Sequence, residues 1–312
     1  MPPLRVTFTG PEIAAGAPAR GGALATGIVA IVVVRDSAAV LPSCLAALAR
    51  EGLATIVVDN ASTDASAAIA EGAGARVIRN AVNQGYGRAM NIGMRAARHS
   101  TCLLLNPDLV LAPGSLDALR EAMTRYPDAG LLAPRLVEPD GRLFFQPRSM
   151  LSPYLANAAG LPCEPEGDCC TPFLSGACLL ADRELVLSLG GFDEEIFLFY
   201  EDDDLCRRVC ETGRSLVHVH AAQAAHLRGG SSQMRPGSVY KARWHRAWSA
   251  GYVARKYALR NPCWGILLVN ALKWSVAAIA FRGQLRERYG GSAAGAFAWL
   301  TGRRALSHEG LS

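Results

Sequence analysis

Apolar residues in the first third of the chain fall in short blocks, and these blocks alternate with stretches of helical period. Residues 27–34 (Gly-Ile-Val-Ala-Ile-Val-Val-Val) contain no polar break, which predicts a strand covered on both faces. A helix is expected from about Leu41 to Arg50, with Pro42 tolerated in its first turn. Thr55–Val58 predicts a second strand, closed by Asp59-Asn60-Ala61-Ser62-Thr63-Asp64. The polar residues of that segment suit a turn and an N-cap for a helix through Ala70. A short strand at Ala75–Arg79 follows, then the glycine turn Asn83-Gln84-Gly85-Tyr86-Gly87 entering a helix, then a strand at Cys102–Leu105. Such alternation predicts a parallel, helix-covered sheet.

The pattern beyond residue 110 is less regular. Pro134, Pro139-Asp140-Gly141 and Pro147 mark turns. Arg142–Gln146 reads as a hairpin strand, and Leu151–Pro172, rich in Pro, Gly and Cys, as a mobile loop on the acceptor side. Phe173–Ala181 predicts a buried strand interrupted by Ser175-Gly176-Ala177, small residues that admit a ligand or another backbone. A helix opens at Glu201 and ends near Gly213, with Cys206 and Cys210 on one core-facing side; Ser215–His220 predicts one more strand. From about Ser238 the chain is helical. Trp264–Phe281 is mostly apolar but broken by Asn270 and Lys273. It is marginal for crossing a bilayer and suits the membrane interface, with packing on the main domain as the alternative.

Charge divides the chain in two. The net charge is +5 over 312 residues, yet from Arg235 onward there are 13 Lys and Arg against 2 acids, and all five tryptophans. Residues 1–234 carry a balance of −6. The expected units are a poorly ordered extension at 1–24, an α/β domain at 25–235 and a helical region at 236–312. Arginines and lysines between 241 and 288 could meet anionic lipid. Nucleic-acid binding is not expected, because the tail's aromatics sit inside apolar helices and no recognition fold is evident. Nine cysteines at irregular spacing suggest a reducing compartment rather than a disulfide framework. No signal-peptide pattern opens the chain, so the expected location is cytoplasmic, with peripheral contact to the inner face of the plasma membrane.

Two acidic clusters carry the candidate chemistry. Asn106-Pro107-Asp108 ends a buried-strand run, where side chains point into the ligand crevice of open α/β sheets. Asp108 there suits Mg²⁺ or Mn²⁺ beside a substrate phosphate, or else caps a turn. Glu201-Asp202-Asp203-Asp204 follows the apolar run Ile196–Tyr200. Acids at a helix start complement its dipole; the apolar run additionally desolvates a carboxylate, raising it toward a general base's range. Asp202, with Glu201 beside it, is the candidate base. His226 could join Asp108 as a metal ligand. Asp59 could accept hydrogen bonds from a nucleotide, and Gly85, Gly87 and Arg88 could approach a phosphate.

In sequence order these segments, with Leu174-Ser175-Gly176-Ala177-Cys178 and Gly190-Gly191-Phe192-Asp193-Glu194, resemble family 2 glycosyltransferases over about residues 27–232. The rhamnosyltransferase-type branch is the nearest in character. The resemblance implies a GT-A fold (α/β, Rossmann-like, a mixed and mainly parallel sheet with helices on both faces), here with a C-terminal helical extension. It implies a nucleoside-diphosphate sugar donor, inversion at the anomeric carbon, and a glycan or lipid-linked acceptor. It assigns Asp202 and Glu201 to catalysis and Asp108 and His226 to a Mg²⁺ or Mn²⁺ ion. Asp59, Asn60, Asn83, Gly85, Arg88, Asn106, Ser175 and Gly176 fall to the donor. Val34-Arg35-Asp36-Ser37 departs from the family's Tyr-Asn-Ser-like tripeptide. L-Rhamnose from dTDP-rhamnose is the expected sugar. The rival readings are a non-catalytic nucleotide-sugar-binding or scaffold subunit of a polysaccharide-assembly complex, and a nucleotidyltransferase.

Overall fold

A computed structural model of the chain describes residues 27–143, 150–152, 165–227, 237–279 and 283–311. The expected 1–24 extension, most of the 142–146 hairpin and of the 151–172 loop, and the proposed boundary at 235/236 lie outside these residues.

The alternation read from the first third forms one half of the sheet. Strands β1 (Ile28–Val34), β2 (Ala54–Asp59), β3 (Arg76–Arg79) and β4 (Thr101–Leu105) are parallel, in the order β3-β2-β1-β4. Helices α1 (Leu41–Arg50), α2 (Ser66–Gly72) and α3 (Tyr86–Ala96) connect them. The unbroken apolar runs are explained by two cores. Ala30, Val32 and Val34 of β1 pack with Leu41, Leu45 and Leu48 of α1, whereas Val29, Ile31 and Val33 pack with Met90 and Met94 of α3. Successive side chains point to opposite faces, so a strand covered on both sides must be apolar throughout.

The irregular middle holds four elements that periodicity alone does not show. They are β5 (Leu109–Leu111), α4 (Ser115–Arg125), β6 (Ala129–Val137) and the two-residue β7 (Cys169–Cys170), the last inside the expected loop. Pro134 lies within β6 rather than in a turn. It is tolerated because the ladder breaks there: Pro134 pairs with Val219, and Arg135 with Gln223. The strand expected at Phe173–Ala181 is β8 (Cys178–Asp182), and it leads into α5 (Arg183–Ser188). Next come α6 (Glu201–Glu211) and β9 (Ser215–His226), six residues longer than expected. The sheet continues β4-β8-β6-β9-β5, with β8 antiparallel to β4 and β6, and β5 antiparallel to β9. Cys206 is buried but Cys210 is exposed; four residues advance a helix by about 40° past a full turn, which carries Cys210 off the core face.

Among the described residues four helices follow: α7 (Ser238–Lys256), α8 (Cys263–Ile279), α9 (Gly283–Leu300) and α10 (Ala305–His308). Gly291 and Gly295 of α9 face the backbone of Tyr240 and Trp244 on α7 with no room for a β-carbon. Helix α7 docks on the sheet domain: Ser249 Oγ donates to the Leu198 carbonyl (3.0 Å), and Tyr252 Oη donates to Asp193 Oδ2 (2.9 Å). Helix α8 does not; Trp264, Leu268, Val269, Leu272, Val276 and Ile279 are exposed. Its inner side packs on the neighbouring helices, with Ile266 and Leu267 against Ala247 of α7 and Ala296 of α9. Among the described residues, no helix is long and apolar enough to cross a membrane.

Candidate active site

Antiparallel pairing of β4 with β8 positions the site. Leu105 sits opposite Cys178, so the segment leaving β4 runs beside the segment entering β8. The Asn106 N–H donates to the Ala177 carbonyl (2.9 Å), fixing Asn106-Pro107-Asp108 against Ser175-Gly176-Ala177. Ser175 Oγ accepts the Ala177 N–H (3.3 Å), and the Gly176 N–H donates to Asp202 Oδ2 (3.0 Å). Gly176 keeps this approach close, since a β-carbon would lie 3.0 Å from Asp202 Cβ and press on it.

Asp202 differs from its three acidic neighbours. Glu201, Asp203 and Asp204 are buried, and Asp202 alone is partly exposed. Its Oδ1 accepts the Asp203 N–H (3.0 Å), so each oxygen is oriented by one backbone donor. Desolvation raises the Asp202 carboxyl above its ordinary value, against those two bonds. Burial first, and the Asp202 charge second, push Glu201 up to about 8. Glu201 Oε2 has no hydrogen-bond partner among the described residues, as suits a protonated, neutral carboxyl at neutral pH. Asp204 has a structural task. It accepts from Arg208 Nε (2.8 Å) and Tyr257 Oη (2.7 Å) and pairs with Lys256 (2.5 Å), which ties α6 to α7. No side chain caps α6; Phe199 and Tyr200 enter it with φ of 68° and 69°, a left-handed pair that costs about 1 kcal/mol or more per residue.

Asp108 is 2% exposed, and its Oδ1 lies 3.7 Å from His226 Nε2. Strand pairing brings them together, because Leu109 of β5 is opposite His226 of β9 and the Leu227 N–H donates to the Asp108 carbonyl (2.9 Å). Tyr86 connects the two acidic clusters. Its hydroxyl donates to the Gly176 carbonyl (2.8 Å), and burial followed by the charges of Glu201, Asp202 and Asp108 pushes its pKa well up.

The expected donor residues divide into two groups. Asp59 is buried at the end of β2, with Oδ1 accepting the Ser62 N–H (3.0 Å). The Asn60 side chain holds the glycine turn, donating to Asn83 Oδ1 (2.7 Å) and the Gly85 carbonyl (3.0 Å) and accepting the Gln84 N–H (2.8 Å). Gly85, at φ 81°, brings the turn against the Phe197 carbonyl, 2.5 Å from where a β-carbon would sit. Arg88 Nε donates to the Glu194 carbonyl (2.9 Å). Asn60, Asn83, Gly85 and Arg88 brace the segment leading to Asp202. Asp36, in the departing tripeptide, accepts from the Thr63 N–H (2.7 Å) and Thr63 Oγ1 (3.0 Å), tying the β1 and β2 loops together.

Sequence reasoning missed Asn91. It is fully buried on α3, donates to the Phe192 carbonyl (2.9 Å) and Glu194 Oε1 (3.0 Å), and accepts the Phe192 N–H (2.8 Å). A polar residue one position from Met90 and three from Met94, in a helix's apolar stripe, was the available signal.

The sequence profile described as "Glycosyl transferase family 2" matches residues 29–189. The chain belongs to that family. This family 2 glycosyltransferase is 31% identical over 215 residues to the N-acetylglucosaminyl-diphospho-decaprenol L-rhamnosyltransferase of Mycobacterium tuberculosis, covering 60% of this chain and 70% of the relative. That likeness puts it on the rhamnosyltransferase branch. Two solved structures share the fold. One is the mannosyltransferase PcManGT from Pyrobaculum calidifontis with GDP-Man and Mn²⁺ (TM-score 0.54, 15% identity, 88% of this chain and 86% of that chain). The other is GalNAc-T7 with UDP, GalNAc and Mn²⁺ (TM-score 0.54, 14% identity, 92% of this chain). The family 2 chain spans 58% of the GalNAc-T7 chain. With the sheet described above, these likenesses make the fold GT-A.

Proposed function

We propose that this glycosyltransferase moves L-rhamnose from dTDP-rhamnose to a hydroxyl of a lipid-linked N-acetylglucosamine, with inversion at the anomeric carbon. The observation that carries the reading is the β4–β8 seam. It sets Asp202, partly exposed and oriented by two N–H groups, beside the segment ending in Asp108. The sugar and acceptor class follow the Mycobacterium tuberculosis relative.

In the proposed reaction the Asp202 carboxylate takes the proton of the acceptor hydroxyl as its oxygen bonds to the anomeric carbon. The bond from that carbon to the diphosphate oxygen breaks, and the nucleoside diphosphate leaves with the electron pair. Gly176 and Asp203 aim the carboxylate, while Glu201, held neutral beside it, keeps a second negative charge out of the pair. A buried carboxylate beside an imidazole is a mixed oxygen and nitrogen donor set, which suits Mn²⁺ and admits Mg²⁺. Asp108 and His226 would hold such an ion. When bound, it supplies positive charge for the donor diphosphate. Asp59, at the end of β2, would accept hydrogen bonds from the nucleotide.

The exposed apolar side of α8, with Lys273 and Arg286 nearby, supports peripheral contact with an anionic membrane surface. Residues 25–235 would then carry the chemistry and 236–312 the approach to lipid. The reading is tested by calorimetry over a panel of nucleotide sugars with Mg²⁺ or Mn²⁺, followed by transfer assays with Asp202→Asn. Tight binding of dTDP-rhamnose and loss of transfer in the variant are expected. Unchanged turnover in a variant that still binds donor defeats the assignment of the base.

A further inference from the structure

Helix α10 brings the chain back onto α7, where three side chains outside the proposed chemistry converge. Ala305 and Leu306 pack with Trp244 and Trp248, and Trp248 Nε1 donates to the Arg303 carbonyl (2.7 Å). This docking sets Glu309 beside His245 of α7. Glu309 Oε1 lies 3.0 Å from His245 Nε2 and 3.2 Å from His308 Nδ1. One ligand atom from each of the three residues lies within 4.8 Å of the other two. The His245 and Glu309 side chains are buried, and His308 is partly exposed, which opens the group to solvent.

Two imidazoles and a carboxylate are a donor set that binds Zn²⁺, with water in the fourth position. Ligand atoms on a tetrahedral Zn²⁺ stand about 3.3 Å apart, at about 2.0–2.1 Å from the ion. The two Glu309 spacings are already close to that edge, and the partly exposed His308 is free to close the third. The rings are held in place by aromatic neighbours. Trp244 stacks on His308 with centroids 4.1 Å apart and meets His245 edge-on at 4.9 Å, while Phe197 stacks on His245 at 4.4 Å. Such support around the ligands is what fixes their orientation toward an ion. The protonation states also fit, since metal ligands must be deprotonated. The hydrogen bond with His245 holds the Glu309 carboxyl down at about 2, and burial keeps the His245 ring neutral. Lys241 is the cation facing the group; its Nζ is 3.4 Å from Glu309 Oε2. It takes the oxygen that neither imidazole uses, and its mostly exposed side chain can turn to water.

We propose that His245, His308 and Glu309 form a Zn²⁺ site that fastens α10 to α7, separate from the Asp108–His226 pair. His245 Nε2, His308 Nδ1 and a Glu309 oxygen are the ligands, and the ion replaces the proton now shared between carboxylate and imidazole. Two nitrogens to one carboxylate select Zn²⁺ over Mg²⁺, which prefers oxygen donors. The site bears on the catalytic half through Phe197. That residue stacks on His245, its carbonyl accepts the Tyr86 N–H (3.2 Å), and it lies five positions before Asp202. A hydrogen-bonded clamp completed by Lys241, binding no ion, is the competing reading.

The test is calorimetric titration of Zn²⁺ into the full chain, stripped of metal, free of any polyhistidine tag and in excess Mg²⁺. A D108A/H226A background removes the other candidate site. That protein binds one Zn²⁺ per chain, and adding H308A or E309Q weakens binding about 100-fold or more, beyond the usual cost of losing a supporting residue. Saturating Zn²⁺ raises the melting temperature of D108A/H226A, as any ligand of the folded state does, and leaves that of D108A/H226A/H308A unchanged. Wild type against H308A answers the same question without the background changes, as a loss of one bound ion. Absence of saturable binding in D108A/H226A, or undiminished binding after H308A, overturns the site. So does a lower melting temperature in H308A when no variant binds Zn²⁺, which is the signature of the clamp alone. Zn²⁺ that is lost with D108A/H226A and kept with H308A belongs to the Asp108–His226 pair and also overturns the proposal. None of these outcomes depends on the sugar or the acceptor.

Discussion

The sheet domain and the C-terminal helices bury apolar surface by opposite rules. In the sheet domain every strand side chain from Ile28 to Val34 has a helix over it, and the acids are held by backbone donors or by arginine and lysine. In the C-terminal region α7 and α9 interlock through glycines, while α8 leaves Leu268 and Leu272 67% and 69% exposed. The charge balance reverses between the two, from −6 before Arg235 to +11 from Arg235 onward. A rigid, acidic, fully covered half suits atoms that must hold position during a reaction. The basic half instead leaves charge and apolar surface side by side and open.

The largest break in this comparison is expected at Asp202. Asp202→Asn should lower kcat by about 10³-fold, the typical worth of a positioned base, with donor affinity by calorimetry within a few-fold of wild type. Asp108→Ala should follow, at roughly 100-fold in kcat/KM, with a loss of metal-dependent donor binding; His226→Ala should show the same pattern more weakly. The helical half should respond differently. Leu268→Glu with Leu272→Glu should weaken cosedimentation with phosphatidylglycerol vesicles about tenfold or more, since each burial forgone is worth about 1.5–3 kcal/mol. It should leave stability within about 0.5 kcal/mol per site, as exposed substitutions do. A drop in the melting temperature with no change in vesicle binding would mean that α8 packs on protein instead.

The smallest effect concerns Glu201. Its folded pKa of about 8 lies above the unfolded value near 4.5, so its contribution to stability is full below about 4.5 and is lost as pH rises through 8. Glu201→Gln copies the neutral form. The variant should fold, keep most activity at pH 7, and lose less thermal stability than wild type between pH 6 and 9. Identical pH dependence of melting in both would show that the carboxyl is not neutral in the folded chain.

How much of this was legible follows from the kind of signal each residue leaves. The parallel half of the sheet was readable because doubly covered strands are apolar without interruption, and α1 was readable to its ends from Leu41 and Arg50. The second half was not. Pro134 reads as a turn, and only the broken ladder with β9 shows why a strand tolerates it. The acidic clusters stood out in sequence, but their juxtaposition depends on an antiparallel partner 73 residues downstream, Leu105 opposite Cys178. The packing role of Gly85 was hidden because the Phe197 carbonyl it approaches is more than 100 residues away in the chain.

The interruption in β9 has a consequence for how this site could vary. Between Val219 and Gln223 the strand carries three residues with no counterpart in β6, after which pairing resumes and reaches His226. An extra or missing residue within that detour can be absorbed without shifting the pairing that follows, whereas one between Gln223 and His226 would shift the register and turn the imidazole to the reverse side of the sheet without altering one amino acid of either acidic cluster. Whether this enzyme keeps a nitrogen beside Asp108 is therefore decided by the three-step count from Gln223 to His226 as much as by the histidine itself, while the detour before it is free to change length.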